Sequence, residues 1–253
     1  MMIMYPYIFY IASNAPVSRS AGYRLKQLGI QIAPTPDQSV THLLLPIPSF
    51  DDAGNIRGNG PISSLLDKLS TNITVIGGNL THPSLEGLSC IDLLKDPKYL
   101  AENASITAHC ALRLAMMELP CVLKDCNVLV TGWGRIAQCL AQLLRSVGAK
   151  VTVAARKEEN LAIAHALGFS IASIKDLQPA NYRIIFNTVP AMVIPAKEYS
   201  QDSLRIDLAS SKGIDGKHVI WARGLPGKDA PESTGNLIAE RLLQILIAKE
   251  GNP

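Results

Sequence analysis

Apolar and polar positions along the chain follow two rhythms. Short continuous apolar runs alternate with longer runs in which apolar residues recur every three or four positions, the pattern of strands interleaved with helices. Residues 7–12 are apolar and read as a buried first strand; Ser13-Asn14-Ala15-Pro16 is a turn, and 18–28 is a helix closed by Gly29. Residues 30–33 and 41–45 read as strands, 61–69 as a helix with Pro61 near its first turn, 73–76 as a strand and 90–94 as a weak last strand. A largely apolar run, as at 41–45 with its three consecutive leucines, suits a parallel sheet covered on both faces. Residues 51–60 are polar and glycine-rich and begin beyond the carboxyl end of a strand, where open α/β sheets bind ligands; the same composition also suits a simple surface loop.

Asp96-Pro97 punctuates the chain, and 103–119 follows as a long helix with Ala108, Leu112, Ala115, Met116 and Leu119 on one stripe. Asn103 or Ser105 is expected to cap it and Pro120 stops it. Its position suggests a connector between two domains, with Asn103, Ser105, Thr107 and His109 in its first turn facing a cleft. Next comes a βαβ unit. A β-branched run at 128–131 leads into Gly132-Trp133-Gly134-Arg135-Ile136-Ala137, then a helix carrying Ile136, Leu140, Leu143, Leu144 and Val147 with Gly148 as its C-cap, then a strand at 151–156. A helix at 158–167, strands at 183–186, 204–208 and 218–222, and a helix capped by Ser233 complete the chain.

The turn fits Gly-x-Gly-x-x-Gly/Ala, in which the first glycine permits the tight turn and the second lets backbone approach a pyrophosphate. Ala137 stands at the third, close-packing position. The helix start presents backbone N–H groups to phosphate. About twenty residues on, a carboxylate would hold the ribose 2′-OH of NAD, whereas this strand ends in Ala155-Arg156-Lys157 with no acid until Glu158. Arg156 and Lys157 suit a 2′-phosphate, so the expected cofactor is NADP(H). The predicted fold class is α/β with two doubly wound parallel-sheet domains. A flavodoxin-like substrate domain spans 1–98 and an NAD(P)-binding Rossmann domain 99–235, and the last helix, 236–250, is expected to pack on the first domain.

Composition narrows the picture. With 253 residues, 47% hydrophobic and 18% charged, the chain is an ordinary globular protein, and a net charge of +3 with scattered Lys and Arg argues against nucleic acid. The five cysteines lack zinc spacing, so reduced thiols and no metal site are expected. Residues 1–12 are apolar but have no basic n-region and are too short to span a bilayer, which points to a cytoplasmic protein.

The strand ends at Asn187-Thr188-Val189-Pro190, Asp207-Leu208-Ala209 and Gly224-Leu225-Pro226-Gly227-Lys228 should share the glycine turn's edge of the sheet. They are therefore candidate cofactor contacts beside Gly132, Trp133, Gly134, Arg135 and Ile136. Of the five histidines, His109 alone is expected near the cleft, as a candidate general base or a histidine satisfied by its helix neighbours. The layout looks like the D-2-hydroxyacid dehydrogenases, but their catalytic Arg and His have no counterpart here, so that activity is rejected.

Several separated stretches resemble the A subunit of dipicolinate synthase, the oxidoreductase that makes the pyridine dicarboxylate of bacterial spores. They are Asn103-Ala-Ser-Ile-Thr107, the glycine turn, Val153-Ala-Ala-Arg156, Asn187-Thr-Val-Pro190, Asp207-Leu-Ala-Ser210, and Gly224 through Pro231 with Gly235. The first hundred residues resemble the family only loosely, and Trp133 and His109 depart from it. The resemblance implies oxidation of dihydrodipicolinate to dipicolinate with NADP⁺, a role in sporulation, and a partner in the form of a flavoprotein-like B subunit. A homo-oligomer is also expected. Lys212 and Lys228 are candidates for the substrate carboxylates, and Ser105 and Thr107 for hydrogen bonds to the substrate. Two alternatives remain open. One is another NADP-linked reductase with the look of shikimate dehydrogenase, although no Lys and Asp pair stands out beyond Lys26, Asp67 and Lys68; the other is a non-catalytic NADP(H)-sensing subunit.

Overall fold

The computed structural model describes residues 5–195, 199–200 and 202–250, apart from the Glu250 side chain. The chain forms two compact units, one of Met1–Asn103 with Ala230–Pro253 and one of Ala104–Asp229.

The first unit holds β1 (Ile8–Ile11), α1 (Pro16–Gln27), β2 (Gln31–Ile32), β3 (His42–Leu44), α2 (Ser63–Leu66), β4 (Thr74–Gly77) and β5 (Ser89–Asp92). Its strands are parallel in the order β2-β1-β3-β4-β5, so the order reverses between β1 and β3. Leu43, Val75, Ile56 and Ile62 are fully or almost fully buried in its core. Ile56 belongs to the glycine-rich stretch at 51–60. That stretch is tied down by an antiparallel bridge between Phe50 and Ile56 and by the Asp51 carboxylate, which accepts from the Asn55 N–H at 2.9 Å.

Helix α3 (Pro97–Glu118) leads to the second unit. There β6 (Asn127–Thr131), α4 (Arg135–Ser146), β7 (Lys150–Ala155), α5 (Glu158–Ala166), β8 (Ser170–Ser173), β9 (Ile184–Asn187), β10 (Leu204–Asp207), β11 (Val219–Trp221) and α6 (Leu225–Asp229) follow in turn. The sheet is parallel in the order β11-β10-β9-β6-β7-β8, which is the doubly wound 3-2-1-4-5-6 order counted within the unit. Ala137, Leu140, Ala141 and Leu144 form the buried stripe of α4, whereas Val147 is exposed. Two alanines in that stripe let the helix lie close to β6 and β7.

Helix α7 (Pro231–Glu250) packs on α1 in the first unit. The crossing depends on Gly235, where a Cβ would lie 2.5 Å from Ser20 Cβ, 2.6 Å from the Ala21 nitrogen and 2.8 Å from the Val17 carbonyl oxygen. Arg24 of α1 pairs with Glu240 of α7 over 2.7 Å, and Arg241 forks onto Asp96 with contacts of 2.8 and 2.7 Å. That guanidinium holds the Asp96 carboxyl below the usual carboxylate range.

Several boundaries differ from the sequence-based expectation. Helix α3 starts at Pro97, six residues before Asn103, because Asp-Pro here is a cap followed by a first helical residue. The Asp96 carboxylate accepts from the Tyr99 N–H at 2.7 Å, and proline at the first position is pre-set for helix. Asn103 and Ser105 are therefore mid-helix and cap nothing. Pro231 likewise is the first residue of α7, without a side-chain cap from Ala230, so Ser233 lies inside the helix and is not its cap. The helix expected over 61–69 is regular only at Ser63–Leu66. Edge strand β8 and short helix α6 have too few residues to carry a periodic signal in the sequence.

Candidate functional site

The glycine turn joins β6 to α4. Gly132 has φ of +93°, and a Cβ there would sit 2.5 Å from the Thr188 hydroxyl oxygen and 3.1 Å from Val189 Cγ2. Both the backbone conformation and the lack of room exclude a side chain. Gly134 differs: its backbone is extended, it is exposed, and a Cβ would meet nothing within 4 Å. It is also the N-cap of α4 and brings no side chain to the helix end, whose first turn carries no acid. The open space over Gly134, ahead of uncapped N–H groups, suits a pyrophosphate.

Beside the turn, three polar side chains align across adjacent strands. Register pairs Thr131 with Asn187 and Asn187 with Asp207, and all three are fully buried. The Thr131 hydroxyl donates to Asn187 Oδ1 at 2.6 Å, and Asn187 Nδ2 donates to Asp207 Oδ1 at 2.8 Å and to the Val189 carbonyl at 2.9 Å. The Val189 N–H returns a bond to Asn187 Oδ1 at 3.0 Å. Asp207 Oδ1 also accepts from the Ala209 N–H at 3.1 Å, and Oδ2 accepts from the N–H groups of Gly213 and Ile214 at 2.7 and 3.1 Å. The Asn187 amide and the Asp207 carboxylate are thus spent on this row and on the loops after β9 and β10, as buried polar groups require. Asn187 and Asp207, candidate cofactor contacts, therefore stand with their side chains bonded to the protein itself.

Trp133, another candidate contact, is buried. Its ring is 5% exposed and turns inward to meet Phe169 edge-on at 5.7 Å, with Arg145 of α4 over the same phenyl ring at 4.3 Å. Its carbonyl accepts from Gln138 Nε2 at 2.9 Å, so only its backbone belongs to the turn. Arg135 is exposed and Ile136 half-buried at the start of α4. Thr188 and Val189 are half-buried and Pro190 is exposed; the Thr188 hydroxyl donates to the Thr131 carbonyl at 2.7 Å and seals the back of Gly132. Leu208 and Ala209 are buried.

Arg156 and Lys157 follow β7 directly and are exposed; no ion pair joins either to another described residue. No carboxylate stands at the end of β7, and Glu158 and Glu159 open the first turn of α5 instead.

Of the residues assigned to substrate, Ser105, Thr107 and His109 lie inside α3 at spacings of two, so a single face cannot hold all three. Ser105 and His109, four apart, share a face; Thr107 is on the other side and buried, and His109 is exposed. Exposed Lys228 lies on α6, which Arg113 of α3 anchors through the Asp229 carbonyl at 3.0 Å and its carboxylate at 3.3 Å. Gly224 has φ of +71° with open space around it, and Pro226 is buried in α6. Lys212 is exposed, with its Nζ 5.4 Å from the Trp221 ring, and Arg223 lies 5.8 Å from the same ring. Sequence reasoning missed Trp221, Arg223, Thr131 and Gly213. Gly213 is required because a Cβ would collide with Asn187 Nδ2. Among the described residues no cluster of His, Cys, Asp or Glu could hold a metal ion, and no helix is long and apolar enough to cross a membrane.

Two parallel sheets with interleaved helices, one of them doubly wound with a glycine turn at its reversal point, make a two-domain α/β fold similar to that of NAD(P)-dependent dehydrogenases. Within that class the chain is similar to the A subunit of dipicolinate synthase from Bacillus halodurans, with a TM-score of 0.83 and 21% identity over 96% of this chain and 99% of that one. It is similar also to the corresponding chain of dipicolinate synthase from Bacillus subtilis, with a TM-score of 0.81 and 18% identity over 100% and 99% of the two chains. A transhydrogenase from Sinorhizobium meliloti superposes with a TM-score of 0.68 at 15% identity, over 94% and 93% of the two chains. The superpositions on the two dipicolinate synthase chains take in the first unit, where sequence resemblance is loose. No protein-family model matches the chain, and no curated protein matches its sequence.

Proposed function

We propose that this protein is an NADP-dependent oxidoreductase that oxidises dihydrodipicolinate to dipicolinate. The observation that carries the reading is the contrast between the two glycines of the turn. Gly132 is closed off by Thr188, whereas Gly134 faces open space at an uncapped helix start, as pyrophosphate binding requires. Exposed Arg156 and Lys157, with no carboxylate at the end of β7, favour the 2′-phosphate of NADP. Likeness in fold to two dipicolinate synthase chains over nearly their whole length supports the choice of substrate.

The overall change converts dihydrodipicolinate and NADP⁺ to dipicolinate, NADPH and a proton. The nicotinamide, when bound, supplies the hydride acceptor. Backbone N–H groups at the start of α4 hold the pyrophosphate, Arg156 and Lys157 the 2′-phosphate, and the Thr131–Asn187–Asp207 row keeps the loop at Thr188–Pro190 in place beside the turn. Lys212 and Lys228 supply positive charge toward a dicarboxylate. Aromatisation of the ring drives the reaction, which lessens the need for a dedicated base.

The test supplies dihydrodipicolinate, generated in situ, with NADP⁺ or NAD⁺, and with or without a flavoprotein-like B subunit, the proposed partner. Dipicolinate and NADPH are followed together. Equal amounts of both are expected with NADP⁺. No product in any arm, with NADPH still bound, would overturn the assignment in favour of another reductase or a sensing subunit.

A further inference from the structure

The first unit carries a hollow that none of these roles uses. It lies beyond the carboxyl ends of β1 and β2, along α1, with a volume of about 430 Å³. A second hollow of about 240 Å³ shares Tyr10, Ile11, Ser13 and Asn14 with it and reaches Gly58 and Asn59 in the glycine-rich stretch. Asn59 Nδ2 donates to the Ala12 carbonyl at 2.9 Å, which holds that stretch against the end of β1. The strand order reverses between β1 and β3; the smaller hollow, between the end of β1 and the stretch after β3, lies at that reversal, where open parallel sheets take ligands, and the larger one continues from it on the β2 side of β1.

The lining has one sign of charge. Arg19 and Lys26 contribute cations, and neither hollow has an Asp or Glu in its wall. Among the described residues neither cation forms an ion pair, whereas Arg24 on the same helix is neutralised by Glu240 and Arg241 by Asp96. Arg19 is nevertheless oriented, because one of its N–H groups donates to the Asn14 carbonyl at 2.6 Å and leaves the rest of the fork available. Arg19, Tyr23 and Lys26 recur at i, i+4 and i+7 on α1, so they form one stripe with the two cations roughly 10 Å apart along the axis. Between them Tyr23 leaves 67% of its surface in water, an exposed aromatic face with a polar tip.

We infer that this hollow binds a small dicarboxylate, with Arg19 and Lys26 taking its two acid groups and Tyr23 covering the flat body between them. Two separated cations flanking a ring suit a dianion with charge at both ends, whereas a phosphate would gather its cations round one centre. That the dicarboxylate is the proposed substrate or its product rests on the functional reading above; the site itself does not.

The experiment titrates the full-length protein calorimetrically with dipicolinate, succinate and inorganic phosphate, and repeats this for Arg19→Gln, Lys26→Gln and the double variant. NADPH binding in the same samples reports intact folding. Dipicolinate is expected to bind more tightly than phosphate, and each substitution to weaken it about tenfold, the loss of one charge-assisted contact, with NADPH affinity unchanged. Unchanged dipicolinate affinity in the double variant, phosphate binding as tight as dipicolinate, or no binding of any probe would each overturn the site. Turnover of dihydrodipicolinate separates the two ideas. Oxidation of dihydrodipicolinate together with unchanged dipicolinate affinity in the double variant sinks the hollow and leaves the function standing. Binding of dipicolinate that depends on Arg19, with no oxidation, leaves the hollow and sinks the function.

Discussion

Asn187 Nδ2 donates to Asp207 Oδ1 over 2.8 Å across the carboxyl ends of β9 and β10, with both side chains fully buried. Asp207 receives three further N–H bonds, from Ala209, Gly213 and Ile214. Asp207→Asn puts an amide among donors it cannot satisfy, and is expected to destabilise the protein by about 3 kcal/mol, the scale of losing bonds to a charged acceptor. Urea denaturation measures this. A loss under about 0.5 kcal/mol, the range of ordinary surface changes, would mean that the loops do not depend on the carboxylate.

The two glycines of the turn should separate stability from binding. Gly132→Ala forces a side chain into a left-handed conformation and against Thr188, so stability is expected to fall by about 1–3 kcal/mol. Gly134→Ala meets no protein atom and should change stability by less than about 0.5 kcal/mol, while weakening NADPH at least tenfold. Melting curves and fluorescence titration of NADPH report the two effects. Unaltered NADPH affinity in Gly134→Ala would remove the pyrophosphate from that space.

Arg156→Asp should weaken NADPH by about 10- to 100-fold and leave NADH within a few-fold, since the lost contact is a charge-assisted bond to the 2′-phosphate. Equal loss for both cofactors would show that Arg156 is a solvated charge.

His42 is stacked on Phe9 with ring centres 4.8 Å apart and lies edge-on to Tyr7 at 5.1 Å. Burial, with the charge of Lys249 adding to it, pushes its pKa down from 6.5 to about 4. The folded protein therefore keeps this imidazole neutral while the unfolded chain protonates it. Its contribution to stability is whole above pH 6.5, shrinks as pH falls from 6.5 to about 4, and is constant below that. The expected loss across the window is on the order of 1–3 kcal/mol. His42→Phe should flatten that part of the stability curve, and an unchanged slope between pH 4 and 6.5 would place the titration elsewhere.

What the linear chain determined by itself is what depends on near neighbours. Continuous apolar runs such as Leu43–Leu45 and Val128–Val130 mark strands buried on both faces, and the spacing of Leu140 and Leu144 marks a helix face, because side-chain direction follows backbone period alone. The α/β class and the glycine turn follow from such local signals. Tertiary structure decided whatever depends on residues distant in sequence. It turned Trp133 toward Phe169, brought Thr131, Asn187 and Asp207 into one register row, and required a glycine at 213 because Asn187 fills the space of a Cβ. It brought α7 onto α1 through Gly235, more than two hundred residues after that helix, where only close approach of two backbones distinguishes glycine from any small residue. Among the described residues it also left Arg19 and Lys26 without acids while Arg24, between them on the same helix, found Glu240. Helical period places a charge on a face, but only packing supplies or withholds its partner.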